Sequence, residues 1–435
     1  LDYSGGSIHR SIQYYSSVAN IMMKVMVEIK DLKKGMYVSE LDRPWLETPF
    51  LFQGFRITNA QEIEQLGDNC KYVYVDPEKS VVPIPKRTAA AVSHQKPAQP
   101  EIKRQRFAMP YQVEFEQEFP KAKQIYQHAT KKLDKIFNET RSGCSLNAQE
   151  IKSTVVSIAD SVIRNPDALM LLSALESKDE HSVTHSINVC TLSLIFGRYI
   201  GLEKKPLYEL GTGALLHDIG ETRVPNEILN KTEKRTPEEM ELMRQHTHHG
   251  VELLMKASGL PQSAIEVARD HHERMNGSGY PQKLLGDQLS LFTKIVSITD
   301  VYDSVTSGLH GKPAITCTEA LKNMYVWRDE LFDSLLVEQF IQCLGIYPIG
   351  STVELSTGEI GIVISTNPGR RLLPRVMLVR DQDKKPYEPP KIINLEQFCT
   401  ADRVCKFEIR RVVKADTFSI DIRNYILREM QLQVA

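Results

Sequence analysis

The sharpest chemical signal in the chain is where its histidines and aspartates fall. Nine of the twelve histidines lie between His181 and His310, so any imidazole chemistry is concentrated in one stretch. His181 and His185 stand four apart in EHSVTHSINVCTLSLIFG, a helical run, and therefore share one face. His217 and Asp218 end a second helix in ALLHDIG, and His246 sits in MRQHTHHGVELL. His271 and His272 close AIEVARDHH directly before the glycine-rich ERMNGSGYP, and Asp300 lies in KIVSITDVYDSV. Imidazole with carboxylate suits iron, manganese, zinc or nickel and is a poor choice for magnesium. A pair of such ions about 3.5–4 Å apart would activate a bridging water and clamp a phosphate, which phosphodiester hydrolysis requires. A carboxylate such as Asp218 can bridge two ions, whereas an imidazole normally cannot. Taken singly, each residue has a bland reading: a lone buried histidine is usually a hydrogen-bonded core residue, and His-Asp dipeptides recur by chance. Five helical segments supplying His, His-Asp, His, His-His and Asp together argue against coincidence.

The elements that must carry these residues follow from pattern. From about Pro110 to Leu344 the chain is helical, with amphipathic stretches such as FPKAKQIYQHATKKLDKIFNET and NAQEIKSTVVSIADSVI. Before it, KVMVEI, GMYVSEL and KYVYVD predict short strands, and NAQEIEQLG predicts a helix ended by its glycine. After Tyr347, GSTVELSTGEIGIVISTN and PRVMLVRD are strand-like around an S-T-G-E turn, and DIRNYILREMQ closes the chain as a helix. The expected architecture is multidomain: a leader over 1–22, a small α+β domain over 23–77 and a Pro/Ala/basic linker over 78–109. An all-α helical bundle follows over 110–345, with its chemical core at 178–345, and a β-rich extension with a final helix over 346–435.

Composition excludes several classes. A net charge of −1 argues against a coat for nucleic acid or an anionic membrane, and leaves room for a small anionic ligand. With 41% hydrophobic and 25% charged residues, the chain can bury a sizeable core. No apolar run reaches the roughly 18 residues a membrane span needs. The seven cysteines, Cys70, Cys144, Cys190, Cys317, Cys343, Cys399 and Cys405, are scattered with no CxxC pair. They predict neither a disulfide framework nor a structural zinc site, and a reducing cytoplasm is the simplest setting.

HDIG, HHERMNGSGYP and ITDVYD resemble the HD-GYP branch of the HD phosphohydrolase superfamily, from about Lys178 to Gly345. KKGMYVSELDRPWLETPFLFQGF resembles the uncharacterised domain often found before such regions. The resemblance implies a metal-dependent phosphodiesterase that opens cyclic di-GMP or 3′,3′-cyclic GMP-AMP to a linear dinucleotide through a metal-bridging hydroxide. It implies two divalent ions, iron or manganese, with a third in some members. By position, His185, His217, Asp218 and Asp300 would surround one ion, and Asp218, His246, His271 and His272 the other. His217 and Asp218 form the catalytic pair, and His181 either holds a third ion or lines the surround. A homodimer and a diguanylate-cyclase-type partner are further implied.

Departures concern the substrate. Glu221 stands where the family commonly has a phosphate-facing lysine, and Asn276 where it has an aspartate. Leu309, His310, Gly311 and Lys312 replace an R-P-Y-R run, leaving Lys312 as the basic remnant. The candidate substrate contacts are therefore Glu221, Arg223, Gly277, Gly279, Tyr280, Pro281 and Lys312. Arg223 either replaces the lost lysine or pairs with Glu221. Lys294 either approaches a phosphate or lines the helix exterior. His248 is expected on a solvated face and His249 packed. The rival reading is a weakly active or inactive cyclic-dinucleotide sensor that acts through a partner.

Overall fold

The computed structural model describes residues 25–41, 55–76, 80–82, 110–175, 181–231, 233–308, 313–367, 370–399, 405–418 and 420–426. The expectations for the leader over 1–22, for most of the linker and for Lys312 lie outside them, as does the side chain of His181. The chain divides into two compact units, Leu1–Ile102 and Lys103–Ala435.

In the first unit, strands β1 (Val25–Glu28), β2 (Tyr37–Leu41), β3 (Phe55–Arg56) and β4 (Tyr72–Asp76) form an antiparallel sheet in the order β1-β4-β2-β3. Alternation in these strands turns Val27, Val38, Val73 and Val75 into the core, beside Leu66 of helix α1 (Ala60–Asn69). Asn59 caps α1 by accepting from the Glu62 amide at 3.0 Å. The helix does not stop at Gly67, as its sequence predicts, but continues to Asn69. A β-carbon at Gly67 would lie only 3.3 Å from the Ile29 side chain, so this glycine serves close packing.

The second unit begins with α2 (Phe115–Arg141), α3 (Ala148–Arg164), α4 (Pro166–Leu175), α5 (His181–Tyr199) and α6 (Lys204–Leu216). It continues with α7 (Asn226–Leu229), α8 (Pro237–Arg244), α9 (His246–Lys256), α10 (Gln262–Asp270), α11 (Leu291–Ser307), α12 (Cys317–Trp327) and α13 (Ser334–Leu344). On α2 the apolar residues Phe115, Phe119, Ala122, Tyr126, Ala129, Leu133 and Ile136 recur at three- and four-residue steps and are all buried. Polar side chains fix helix starts: Asn147 caps α3, Ser290 caps α11, and Thr236 and Thr316 form capping boxes with Glu239 and Glu319.

Strands β5 (Thr352–Leu355), β6 (Ile360–Ser365), β7 (Arg375–Arg380), β8 (Pro386–Asn394) and β9 (Ile409–Val413) form an antiparallel sheet ordered β8-β7-β6-β5-β9. Its interior shares one hydrophobic cluster with the helices. The joint between them is polar: buried Asp167, in the first turn of α4, accepts from the Thr366 amide at 2.8 Å and the Tyr111 hydroxyl at 2.9 Å. The prolines of β8 sit on an edge strand, where a missing amide donor is tolerated. Residues 422–426 are helical, and the remainder of the expected final helix lies outside the described residues.

One cysteine expectation is corrected. Cys399 and Cys405 form a disulfide, brought together by an antiparallel bridge between them. A six-residue separation with no CxxC pattern gives no sign of this chain reversal. Cys144, Cys190, Cys317 and Cys343 are free thiols, and Cys70 takes no part in a disulfide.

Candidate metal centre

Five helices of the second unit deliver the site. His185 lies one turn into α5, and α6 runs up to His217, with Asp218 leading into a 3-10 turn at Ile219–Arg223. His246 starts α9, His271 and His272 follow α10 directly, and Asp300 sits in the buried middle of α11. The glycine after His217-Asp218-Ile219 has a steric reason: a β-carbon on Gly220 would collide with the His246 carbonyl oxygen. The 3-10 turn and the start of α9 can therefore approach only through a bare backbone.

The two oxygens of Asp218 face two different sets of imidazoles. Oδ2 lies 3.1 Å from His217 Nε2 and 3.8 Å from His185 Nε2. Oδ1 lies 3.2 Å from His271 Nε2 and 3.4 Å from His246 Nε2. Donor atoms of His185, His217 and Asp218 fall within 4.8 Å of one another, as do those of Asp218, His246, His271 and His272. Asp300 joins the first set, its Oδ1 lying 3.2 Å from His185 Nε2. All seven side chains expected as ligands are thus brought together, with Asp218 in both groups.

The opposite edges of the rings are already engaged. Nδ1 of His217 bonds the Ala214 carbonyl at 2.8 Å, that of His246 the Met243 carbonyl at 2.7 Å, and that of His271 the Val267 carbonyl at 3.1 Å. Because a carbonyl only accepts, each of these nitrogens carries a proton, and Nε2 is the ring atom left facing the cluster. His185 Nδ1 lies 2.7 Å from Asp303 Oδ2, the carboxylate–histidine arrangement that fixes ring orientation and raises donor strength.

Electrostatics separates the two sides. Burial opposes an imidazolium at His185, but Asp300 and Asp303 outweigh it and hold the pKa well above the usual histidine value. At His217 burial is likewise outweighed, by the charge of the adjacent Asp218 carboxylate. On the other side burial dominates: it pushes His246 down to about 4 and His272 well below the ordinary value. Against burial, His217 and then His271 keep Asp218 far below the usual carboxylate range, and His185 does the same for Asp300. Two anionic carboxylates beside the neutral imidazoles of His246 and His272 attract cations.

The donors fit divalent metal on a further observation. His217 Nε2 and Asp218 Oδ1 are both buried without a hydrogen-bond partner, an arrangement costly unless something coordinates them. Divalent metal binding is the chemistry that satisfies both atoms at once.

The expected substrate contacts divide. Tyr280 stacks on His272 with ring centroids 4.6 Å apart and belongs to the site. Gly277 takes a positive φ of 73°, and Gly279 is buried. A β-carbon on Gly279 would strike the backbone of residues 272–274, so this glycine lets the loop pack on the His271-His272 segment. Pro281 is exposed and follows a cis bond. Glu221 is buried, accepts from the Ser182 hydroxyl at 2.9 Å, and has its pKa raised to about 8 by burial and then by the Asp218 charge. Arg223 pairs with Glu252 at 2.5 Å and not with Glu221, because the 3-10 turn points the two side chains apart. Lys294 pairs with Asp333 at 3.3 Å. His248 is 67% exposed and lies 3.2 Å from Glu252, while His249 is half-buried.

Two contributors were missed in the sequence. Asp303 supports His185, and its signal was the D-x-x-D spacing in ITDVYD, which puts Asp300 and Asp303 on one helix face. Glu273, 1% exposed, accepts from the amides of Gln282 at 2.6 Å and Leu284 at 3.0 Å and so ties down the loop that carries Tyr280. Only its place in HHE hinted at it.

Comparison with known proteins agrees with this architecture. Residues 170–336 match the HD domain, residues 24–151 a domain of unknown function, and residues 352–401 a KOW domain associated with HD domains. A cyclic di-GMP phosphodiesterase of Pseudomonas aeruginosa is 30% identical over 384 residues, covering 88% of this chain and 91% of that protein. A 3′3′-cGAMP-specific phosphodiesterase of Vibrio cholerae is 29% identical over 173 residues, covering 40% of this chain and 33% of that protein. Among solved structures, an HD-GYP-type protein from Bdellovibrio bacteriovorus aligns over 74% of this chain and 99% of its own, with 18% identity and a TM-score of 0.45. The near full-length match to the Pseudomonas protein, with the HD domain falling on the histidine–aspartate cluster, shows that the chain belongs to the HD-GYP family of HD-domain proteins.

Proposed function

We propose that the chain is a metal-dependent phosphodiesterase that hydrolyses a cyclic dinucleotide, cyclic di-GMP or 3′,3′-cyclic GMP-AMP, to a linear dinucleotide. The observation that carries this reading is Asp218, whose two oxygens face separate sets of imidazole nitrogens at 3.1–3.8 Å. The names of its relatives support both substrates. His185, His217, Asp218 and Asp300 would hold one ion, and Asp218, His246, His271 and His272 the other, with iron or manganese in keeping with the donor set. When bound, such a pair supplies a nucleophilic water and neutralises charge building on the phosphoryl oxygens. The protein's own contribution is orientation: backbone carbonyls and Asp303 fix the rings, and Glu273 fixes the loop that brings Tyr280 over His272. The rival sensor reading has no observation in its favour.

The wider proposals rest on sequence pattern and on resemblance. They are the domain limits 23–77, 110–345 and 346–435, a homodimer, a diguanylate-cyclase-type partner and a cytoplasmic setting. Among the described residues no helix is long and apolar enough to cross a membrane. One experiment tests the central reading: metal-loaded protein is incubated with cyclic di-GMP, 3′,3′-cyclic GMP-AMP and a dNTP, and products are resolved by chromatography. Linear dinucleotide from a cyclic substrate supports the reading. Turnover of the dNTP alone, or of nothing, overturns it.

A further inference from the structure

If the site cleaves cyclic dinucleotides, one problem is left open by the sequence: Glu221 occupies the place of a phosphate-facing cation. The geometry points to Arg244 as the residue that takes over, binding the phosphodiester of the macrocycle that is not being cleaved. This inference rests on the functional reading above.

Arg244 ends α8, two residues before His246, and its guanidinium lies 5.2 Å from the centre of the Tyr280 ring. Tyr280 in turn stacks on His272, so one aromatic ring separates the guanidinium from the ligand cluster.

Among the described residues, the other cations near the cluster are committed. Arg223 holds Glu252 at 2.5 Å, Arg269 holds Asp270 at 2.8 Å and Lys294 holds Asp333 at 3.3 Å. Arg274 is buried and donates to the carbonyls of His271 and Glu273 and to Ser297. Arg244 is different: its side chain is 48% exposed, and its carboxylate neighbour, exposed Glu241, is 3.7 Å away. A guanidinium resting on an aromatic face keeps its in-plane donors free, and its fork matches two phosphate oxygens. A cyclic dinucleotide carries two phosphodiesters in one ring, so with one at the metal ligands the other must lie close beside them. A substrate with a single phosphodiester has nothing to place against Arg244.

The test compares wild type, Arg244→Ala and Arg244→Lys on cyclic di-GMP, 3′,3′-cyclic GMP-AMP and bis(p-nitrophenyl) phosphate, with metal content measured for each. Losing a charge-assisted hydrogen-bond pair should lower kcat/KM for the cyclic substrates about ten- to hundredfold in Arg244→Ala, mainly through KM. Turnover of bis(p-nitrophenyl) phosphate and metal content should stay at wild-type levels, and Arg244→Lys should recover part of the loss through its charge. An equal loss on all substrates would mean that Arg244 only props Tyr280, and unchanged kinetics would mean that it is a bystander; either overturns the assignment. A wild type that turns over bis(p-nitrophenyl) phosphate but no cyclic dinucleotide would instead overturn the functional reading, before any variant is compared.

Discussion

Replacing Asp303 with alanine should weaken one metal set and spare the other. Its Oδ2 lies 2.7 Å from His185 Nδ1, in a site where both residues are buried. Removing the carboxylate leaves a buried N–H without its acceptor, a penalty of about 1–3 kcal/mol, and frees the ring to turn away from the cluster. At 1.4 kcal/mol per factor of ten this amounts to roughly ten- to hundredfold in affinity, the range seen when outer partners of metal-bound histidines are removed. The loss should fall on the ion held by His185, His217 and Asp300. The rings of His246 and His271 are oriented by the Met243 and Val267 carbonyls and should keep their ion. Asp303→Asn retains an oxygen acceptor without the charge, so its loss should be smaller. Titration of apo protein with manganese, followed by calorimetry and elemental analysis, resolves two binding events in wild type and weakens one in Asp303→Ala. Equal weakening of both events, or none, refutes the reasoning.

Further outcomes follow from the same geometry. In the metal-free protein, His185 and His217 have raised pKa values and hold protons that an ion must displace, so metal affinity should rise with pH and fall in acid; calorimetry in buffers of different ionisation enthalpy should detect proton release near pH 7. Glu221, with a folded pKa raised to about 8, binds its proton more tightly when folded, so the metal-free protein loses stability as pH climbs from about 4.5 to 8. Glu221→Gln should therefore be more stable than wild type by roughly 3 kcal/mol at pH 7 and equal to it near pH 4, as urea unfolding in chelator would show. Glu273→Ala removes two hydrogen bonds to a buried carboxylate and should cost about 2–4 kcal/mol, with loss of cyclic-dinucleotide turnover as the Tyr280 loop loosens; an unchanged unfolding midpoint would count against the role given to Glu273.

How much of this was legible beforehand depended on whether a residue acts through its own element or through a distant one. His217-Asp218, His271-His272 and the helices that present them could be read because helix ends and face-sharing are local properties. The support of His185 by Asp303 joins residues 118 positions apart and exists only once α5 packs on α11. Arg223 lies close to His217-Asp218 in sequence, yet its partner Glu252 lies on α9, out of reach of any local pattern. The same holds for Lys294 with Asp333, for the Cys399–Cys405 disulfide and for Arg244 over Tyr280. Gly67 failed differently: a glycine reads as a helix stop unless its neighbour in space is known, and here Ile29 packs against it.

The division of Asp218 between two imidazole sets is the centre of the account, and Asp218→Ala tests it most directly. Metal content by elemental analysis and hydrolysis of cyclic di-GMP and 3′,3′-cyclic GMP-AMP are measured side by side with wild type. Two equivalents of divalent metal and cyclic-dinucleotide turnover are expected in wild type, with loss of paired metal and of turnover in the variant. An Asp218→Ala protein that still holds two ions and still opens the cyclic dinucleotide would contradict it.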